Sequence, residues 1–330
     1  MSDAAILEVS GLTVEFATRH GPATVLNEVA LKVRAGEVLG VVGESGCGKS
    51  MSALAIMGLI PNPPGRIKAG SIRLEGEELV GAPAARLRQI RGHRIAMIFQ
   101  EPMTSLNPVF SVGDQIGETL MLHLALSRRA ARDRAIEALQ AVGIAAPEKR
   151  VNEYPHQLSG GMRQRVMIAM ALACEPRMLI ADEPTTALDV TVQAQIFDLL
   201  LDLQQRTGTA IMLITHDMGV IAETTDRVVV MYGGRSIEEG LTRDILSRPK
   251  HPYTEGLIGC LPDIGRGENR EPLVEIPGIV PPVWELGDGC AFAPRCDRAR
   301  AQCGTSLPPQ RSFETGHRVT CWLHQESGHA

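Results

Sequence analysis

Residues 43–50, Gly43-Glu44-Ser45-Gly46-Cys47-Gly48-Lys49-Ser50, follow the pattern G-x-x-x-x-G-K-[ST], and Met51 comes next. That pattern suits a phosphate chain. Its glycines let consecutive backbone N–H groups curl around a β-phosphate at the start of a helix. The Lys49 amine reaches the β- and γ-phosphates, and the Ser50 hydroxyl can ligate Mg²⁺. Further along, Met178-Leu179-Ile180-Ala181-Asp182-Glu183 is an apolar run that ends in two carboxylates. The run places Asp182 at the carboxyl end of a buried strand, where open α/β sheets bind ligands. Asp182 suits Mg²⁺, and Glu183 can polarise a water toward a γ-phosphate. The bland alternatives are a glycine-rich turn with a solvated lysine and an acidic helix cap ahead of Pro184. A strand before the loop, a helix after it and the ordered pair of motifs favour the nucleotide reading.

Leu158-Ser159-Gly160-Gly161-Met162 is a third such segment. Ser159 is a good N-cap, and Met162, Val166, Ala169, Met170 and Ala173 then recur at helical spacing. Gly160 and Gly161 expose first-turn N–H groups at the positive end of that helix, which makes a second anion site. A single chain has no need of two γ-phosphate cradles, so the segment points to a second subunit.

These groups must be held by a frame, and short β-branched runs alternating with helical patterns predict an α/β domain on a largely parallel sheet. Strands are expected at Val38 to Val42, Ile95 to Ile98, Met178 to Ala181, Ile211 to Thr215 and Arg227 to Tyr232. Helices are expected over Arg128 to Val142 and Val192 to Gln205, stopped by Gly143 and Gly208. Residues 99–177 have mostly helical periodicity, and a helical insert is expected over about 100–170. Residues 251–330 hold nine of the 21 prolines and five of the seven cysteines, so a boundary near Pro249 to Pro252 is expected, with a short irregular unit beyond it.

The 330 residues are enough for two domains, and 44% apolar composition excludes a disordered or collagen-like chain. A net charge of −5 without a basic cluster argues against nucleic acid as a partner. No apolar run has the roughly 18 residues of a membrane span, and Met1 to Ser10 lacks the order of a signal peptide, which leads us to expect a cytoplasmic-type chain. In such a chain the late cysteines suit a metal or redox site better than disulfides. Cys290-x5-Cys296-x6-Cys303-x17-Cys321 lacks the C-x2-C pairs usual for zinc, which disfavours zinc without excluding it. Four thiolates also suit a [4Fe–4S] cluster, and separate buried thiols are the plain alternative.

The ordered set of motifs resembles the ATPase subunits of ATP-binding cassette (ABC) transporters, with Leu158 to Met162 similar to the family's LSGGQ signature and Met162 in place of the glutamine. The resemblance implies an antiparallel β subdomain beside the mostly parallel sheet. It also implies that Phe16 stacks on adenine, that Gln100 senses Mg²⁺ and the attacking water, that Ala187-Leu188-Asp189 lies at a dimer interface and that His216 contacts the γ-phosphate. Taken singly, Phe16 reads as core, Gln100 as a solvated strand end and His216 as a cap. The family further implies a head-to-tail dimer in which Ser159, Gly160 and Gly161 act on the partner's nucleotide. Lys49 and Mg²⁺ then hold the γ-phosphate, while Glu183, supported by His216, orients the water.

Glu101-Pro102-Met103-Thr104-Ser105-Leu106-Asn107-Pro108, His251-Pro252-Tyr253-Thr254, Ile276-Pro277-Gly278 and Cys290-Ala291-Phe292-Ala293-Pro294-Arg295-Cys296 resemble the oligopeptide, dipeptide and nickel importer branch. That branch implies an ABC domain over 1–250 and a C-terminal extension over 251–330 with a [4Fe–4S] cluster on Cys290, Cys296, Cys303 and Cys321. It implies peptide uptake, with nickel or another small solute as the alternative. The implied partners are two transmembrane permease subunits, a second and non-identical ATPase, and an extracytoplasmic solute-binding protein. The implied location is the cytoplasmic face of the inner membrane. Met103, Leu106, Val109 and Phe110 are expected either to line a groove for a permease helix or to be local core. A chromosome-organising ATPase would need a long coiled coil between Ser50 and Ser159, for which there is no room, and a translation factor would carry two cassettes.

Overall fold

The computed structural model describes residues 5–100, 105–186, 188–260, 275–313 and 316–325. The chain divides into two compact units, one comprising Met1–Ile6, Val33–Glu37 and Glu75–Ile214, the other Leu7–Lys32, Val38–Leu74 and Thr215–Ala330.

In the first unit the strand Met178–Asp182 is buried at every position. It runs parallel to Ile95–Ile98 on one side and to Ala210–Ile214 on the other. Continuous apolar sequence is what a parallel strand covered on both faces requires. Between the first two strands come the helices Val112–Leu124, Arg128–Ala141 and Gly160–Leu172, each capped by a serine: Ser111, Ser127 and Ser159. Ala131, Ala135 and Leu139 form the buried stripe of the second. The helix Val190–Thr207 extends two residues beyond the expected span at each end. Asp189 caps its start, and Gly208 closes it in the left-handed region at φ 69°.

In the second unit the strand Val38–Val42 is fully buried and parallel to Arg227–Tyr232. Arg227–Tyr232 turns through Gly233 and Gly234 into the antiparallel strand Arg235–Leu241. The tail then adds two short strands, Arg318–Val319 against Arg235–Leu241 and Arg311–Ser312 outside it. A separate antiparallel sheet orders Gly21–Arg34, Ala5–Thr18 and Gly65–Leu74, with register from Leu7 opposite Leu74 to Phe16 opposite Gly65. The expected α/β class therefore holds, down to the helical insert and the antiparallel β portion.

The core of this unit joins sheet and tail. Val42, Val228, Val230, Tyr232 and Ile237 pack with Tyr253 and Phe292, and Cys290 and Cys296 lie against the same cluster. Tyr232, Tyr253 and Phe292 meet edge-on or tilted, with ring centroids 4.6 to 5.4 Å apart. Burying each such ring stabilises by about 1.5–3 kcal/mol, so residues far beyond the nucleotide motifs contribute to holding the strand that ends in the phosphate loop.

Candidate nucleotide site

The phosphate loop leaves the strand Val38–Val42 and opens the helix Lys49–Ile56. Two of its glycines are obligatory. At Gly43, φ 151°, an added Cβ would stand 2.2 Å from the Met231 carbonyl oxygen, and at Gly48, φ 103°, it would stand 2.6 Å from Leu26 Cδ2. Ser45 and Gly46 are exposed at the tip, Cys47 is buried, and Ser50 and Met51 are half-buried in the first turn. Burial pushes the Cys47 thiol up, despite the opposing Lys49 amine. Lys49 is only 5% exposed, and its Nζ donates to the Gly43 carbonyl at 2.6 Å and the Glu44 carbonyl at 3.1 Å. The amine therefore bends back over the start of its own loop.

In the other unit, Asp182 ends its strand buried. Glu183 follows in the left-handed region at φ 44°, a strained backbone for a residue with a side chain. Its N–H donates to the Ile214 carbonyl at 2.9 Å. Its Oε2 accepts from Gln100 Nε2 at 2.9 Å and from Thr186 Oγ1 at 3.0 Å. Gln164, buried in the signature helix, donates to the carbonyl of Pro184, the next residue. The Gln100 amide and the Thr186 hydroxyl thus both help to fix the direction of this carboxylate, as a group that must orient a water requires.

The structure brings Gln100 and Glu183 together directly. Ser159, exposed, caps its helix through Oγ, which accepts the Met162 N–H at 3.3 Å, and exposed Gly160 and half-buried Gly161 follow. Asp189 caps the next helix by accepting the Val192 N–H at 3.0 Å, while Ala187 lies outside the described residues. His216 is exposed. The cap beside it is Asp217, whose Oδ1 accepts from Gly219 and Val220, so His216 does not act as the cap. Phe16 is half-buried, and its ring lies on Gly65, where a Cβ would come within 2.7 Å of Cζ. Sequence reasoning missed Thr186, Gln164, Tyr253 and Arg295; only Thr186, three residues after Glu183, had a local signal.

Of the residues considered for a permease groove, Leu106 is buried and belongs to the local core, whereas Val109 is 71% and Phe110 52% exposed. Met103 lies outside the described residues. Among the described residues no helix is long and apolar enough to cross a membrane. Cys290, Cys296, Cys303 and Cys321 line one small cavity together with His251, Phe292 and Trp322. Burial pushes the Cys290, Cys296 and Cys321 thiols up, Cys321 to about 11. Among the described residues no group of three or more histidine, cysteine or acidic side chains is arranged to hold a metal.

A glycine-rich loop that leaves a buried parallel strand and opens a helix at Lys49 defines a P-loop nucleotide-binding protein. Residues 26–186 match the ABC transporter family model, and residues 237–303 match the oligopeptide/dipeptide transporter C-terminal region. The chain is 50% identical over 321 residues to a probable peptide ABC transporter ATP-binding protein, y4tR, of Sinorhizobium fredii, covering 97% of this chain and 96% of that one. It is 48% identical to the oligopeptide transport ATP-binding protein AppD of Bacillus subtilis, covering 98% of both chains. Among solved structures it resembles the dimeric ATP-binding cassette MJ0796 in a post-hydrolysis state bound to ADP and Pi. The TM-score is 0.65 at 28% identity, covering 72% of this chain and 99% of that one. The chain belongs to the ATPase subunits of the ABC transporter family.

Proposed function

We propose that this chain is the ATP-hydrolysing subunit of an importer that carries oligopeptides or dipeptides through separate permease subunits, docked at the cytoplasmic face of the inner membrane. The observation that carries the solute class is the match of residues 237–303 to the oligopeptide/dipeptide transporter C-terminal region. The peptide-transport names of relatives aligned over nearly the whole chain support it. Residues 1–250 form the ATP-binding domain in this reading and 251–330 the extension. Exposed Val109 and Phe110 belong to the surface offered to the permease. A second, non-identical ATPase completes the head-to-tail pair, and a solute-binding protein delivers the peptide from outside.

Within the site, Gly43 to Met51 wrap the phosphates, Lys49 neutralises their charge, and Phe16 takes the adenine. Ser50, Gln100 and Asp182 would hold Mg²⁺, which would supply charge neutralisation for the phosphates. Glu183 orients the attacking water and accepts its proton, His216 steadies the γ-phosphate, and Ser159, Gly160 and Gly161 face the partner's nucleotide. Hydrolysis on such a site is largely positioning and charge stabilisation.

The [4Fe–4S] cluster on Cys290, Cys296, Cys303 and Cys321 is part of this reading: the four line one cavity, which supports it, although no three of them are arranged as a metal site among the described residues. When bound, the cluster would tie together segments of a Pro-rich tail. Iron, sulfide and a brown absorption near roughly 400 nm in an anaerobic preparation support it, and stoichiometric zinc without iron contradicts it.

The test of the function is co-expression with the permease and binding-protein genes, followed by uptake of labelled peptides and of Ni²⁺. Peptide uptake that depends on this chain is the expected result; uptake of Ni²⁺ alone overturns the solute assignment.

A further inference from the structure

The segment between Cys290 and Cys296 makes a contact that the nucleotide chemistry leaves unused. Arg295 is only 8% exposed, and its guanidinium grips the Glu44 carboxylate with both prongs, Nη1 to Oε2 at 2.7 Å and Nη2 to Oε1 at 3.1 Å. Glu44 is the second residue of the phosphate loop. Its backbone N–H donates to the Tyr253 hydroxyl at 2.8 Å, and its carbonyl accepts from Lys49 Nζ at 3.1 Å. One loop residue is therefore held by the tail through both its side chain and its amide, and it in turn holds the phosphate-binding amine.

Arg295 does not depend on Glu44 for its own position. Its Nε donates to the Pro277 carbonyl at 2.8 Å, its Nη2 to the Ile276 carbonyl at 3.3 Å and its Nη1 to the Tyr232 hydroxyl at 3.2 Å. Phe292, three residues earlier, is packed against Tyr232 and Tyr253 at ring-centroid distances of 5.3 and 5.4 Å. The guanidinium is thus a fixed fork into which the loop docks, unlike an exposed ion pair whose long side chains must first be ordered. Charge matters as much as shape. A carboxylate in a loop that receives a triphosphate repels its ligand, and a buried two-pronged guanidinium cancels that repulsion.

We infer that Arg295 is a positioning residue for the phosphate loop, acting through Glu44, so that the affinity of this chain for MgATP is set in part by the C-terminal extension. The contact needs nothing bound at the cysteines and stands apart from the identity of the transported solute. It rests on the nucleotide reading of the loop, which binding of MgATP by the wild-type chain establishes independently of any variant.

The test is a double-mutant cycle on the full chain, reading fluorescent-nucleotide affinity, KM and kcat for MgATP, and thermal unfolding. Arg295→Gln raises the dissociation constant and KM about tenfold, the scale of one lost charged hydrogen-bond pair. The kcat at saturation stays within about twofold, because Glu183 and its donors are untouched. Arg295→Lys, which keeps the charge without the fork, recovers part of the affinity. In a Glu44→Gln background, Arg295→Gln adds less than about twofold, because the route through the carboxylate is already gone. Tyr253→Phe, a milder change, weakens binding in the same direction if Arg295 variants fold poorly. Wild-type KM in a folded Arg295→Gln chain overturns the inference, as does an undiminished effect of Arg295→Gln in the Glu44→Gln background.

Discussion

Glu183 has a backbone that its side chain disfavours, φ 44°, and a carboxylate fixed by Gln100 and Thr186. Strain at one residue persists only where neighbours over-determine it, and here the Ile214 carbonyl and the two side-chain donors do so. Thr186 is therefore expected to matter to turnover and not to nucleotide binding. Thr186→Val should lower kcat about tenfold, the worth of one hydrogen bond to a charged group, with nucleotide affinity unchanged within about twofold. Steady-state hydrolysis beside a nucleotide titration separates the two. The positions of Lys49, Asp182 and Glu183 were legible from motif spacing because each sits where the chain passes from strand to turn or helix. Arg295 and Tyr253 were not, since their partner Glu44 is separated from them by 251 and 209 positions. No periodicity records a contact of that kind.

Among elements, the buried parallel strands were legible because they are short and uniformly apolar: Val38–Val42, Ile95–Ile98 and Arg227–Tyr232 fall where the sequence places them. Ala5–Thr18 was not read as a strand from its residues. Its alternation is broken near Gly11, where the register against Gly65–Leu74 shifts between Ser10 and Thr13. The helix Pro252–Gly259 shows how a cap can carry a charge condition. His251 Nδ1 accepts the Tyr253 N–H at 3.1 Å, so the cap needs the neutral ring. Burial lowers the His251 pKa from 6.5 to about 4, Glu238 opposes that shift, and His324 and Arg298 add to it. Between those two values the unfolded chain binds a proton that the native ring refuses. Stability contributed here is therefore full above about pH 6.5 and is lost as pH falls toward 4. His251→Asn, which keeps a capping acceptor, should flatten that part of the Tm-against-pH curve; an unchanged slope would show that other groups account for it.

At the scale of the molecule, composition marks residues 251–330 as different in texture, but nothing local in it announces the work the tail does on the sheet. Tyr253 and Phe292 enter the same buried cluster as Val42 and Tyr232, and Arg318–Val319 pairs with Arg235–Leu241. A chain ending at Lys250 should lose more than about 5 kcal/mol, since each large core side chain removed costs about 3–5 kcal/mol. That is comparable to the whole stability of many domains. Thermal unfolding and recovery of soluble protein check this; a truncated chain that melts with the intact one would contradict it. In the proposed importer, hydrolysis at this chain's site is coupled to peptide movement. The most direct measurement is phosphate release by the assembled transporter, with and without peptide-loaded binding protein, for the wild type and for Glu183→Gln in this chain. The predicted result is peptide-stimulated release in the wild type and, in the variant, retained ATP binding with the stimulation abolished. Release that ignores peptide, or that proceeds at the wild-type rate in Glu183→Gln, would contradict it.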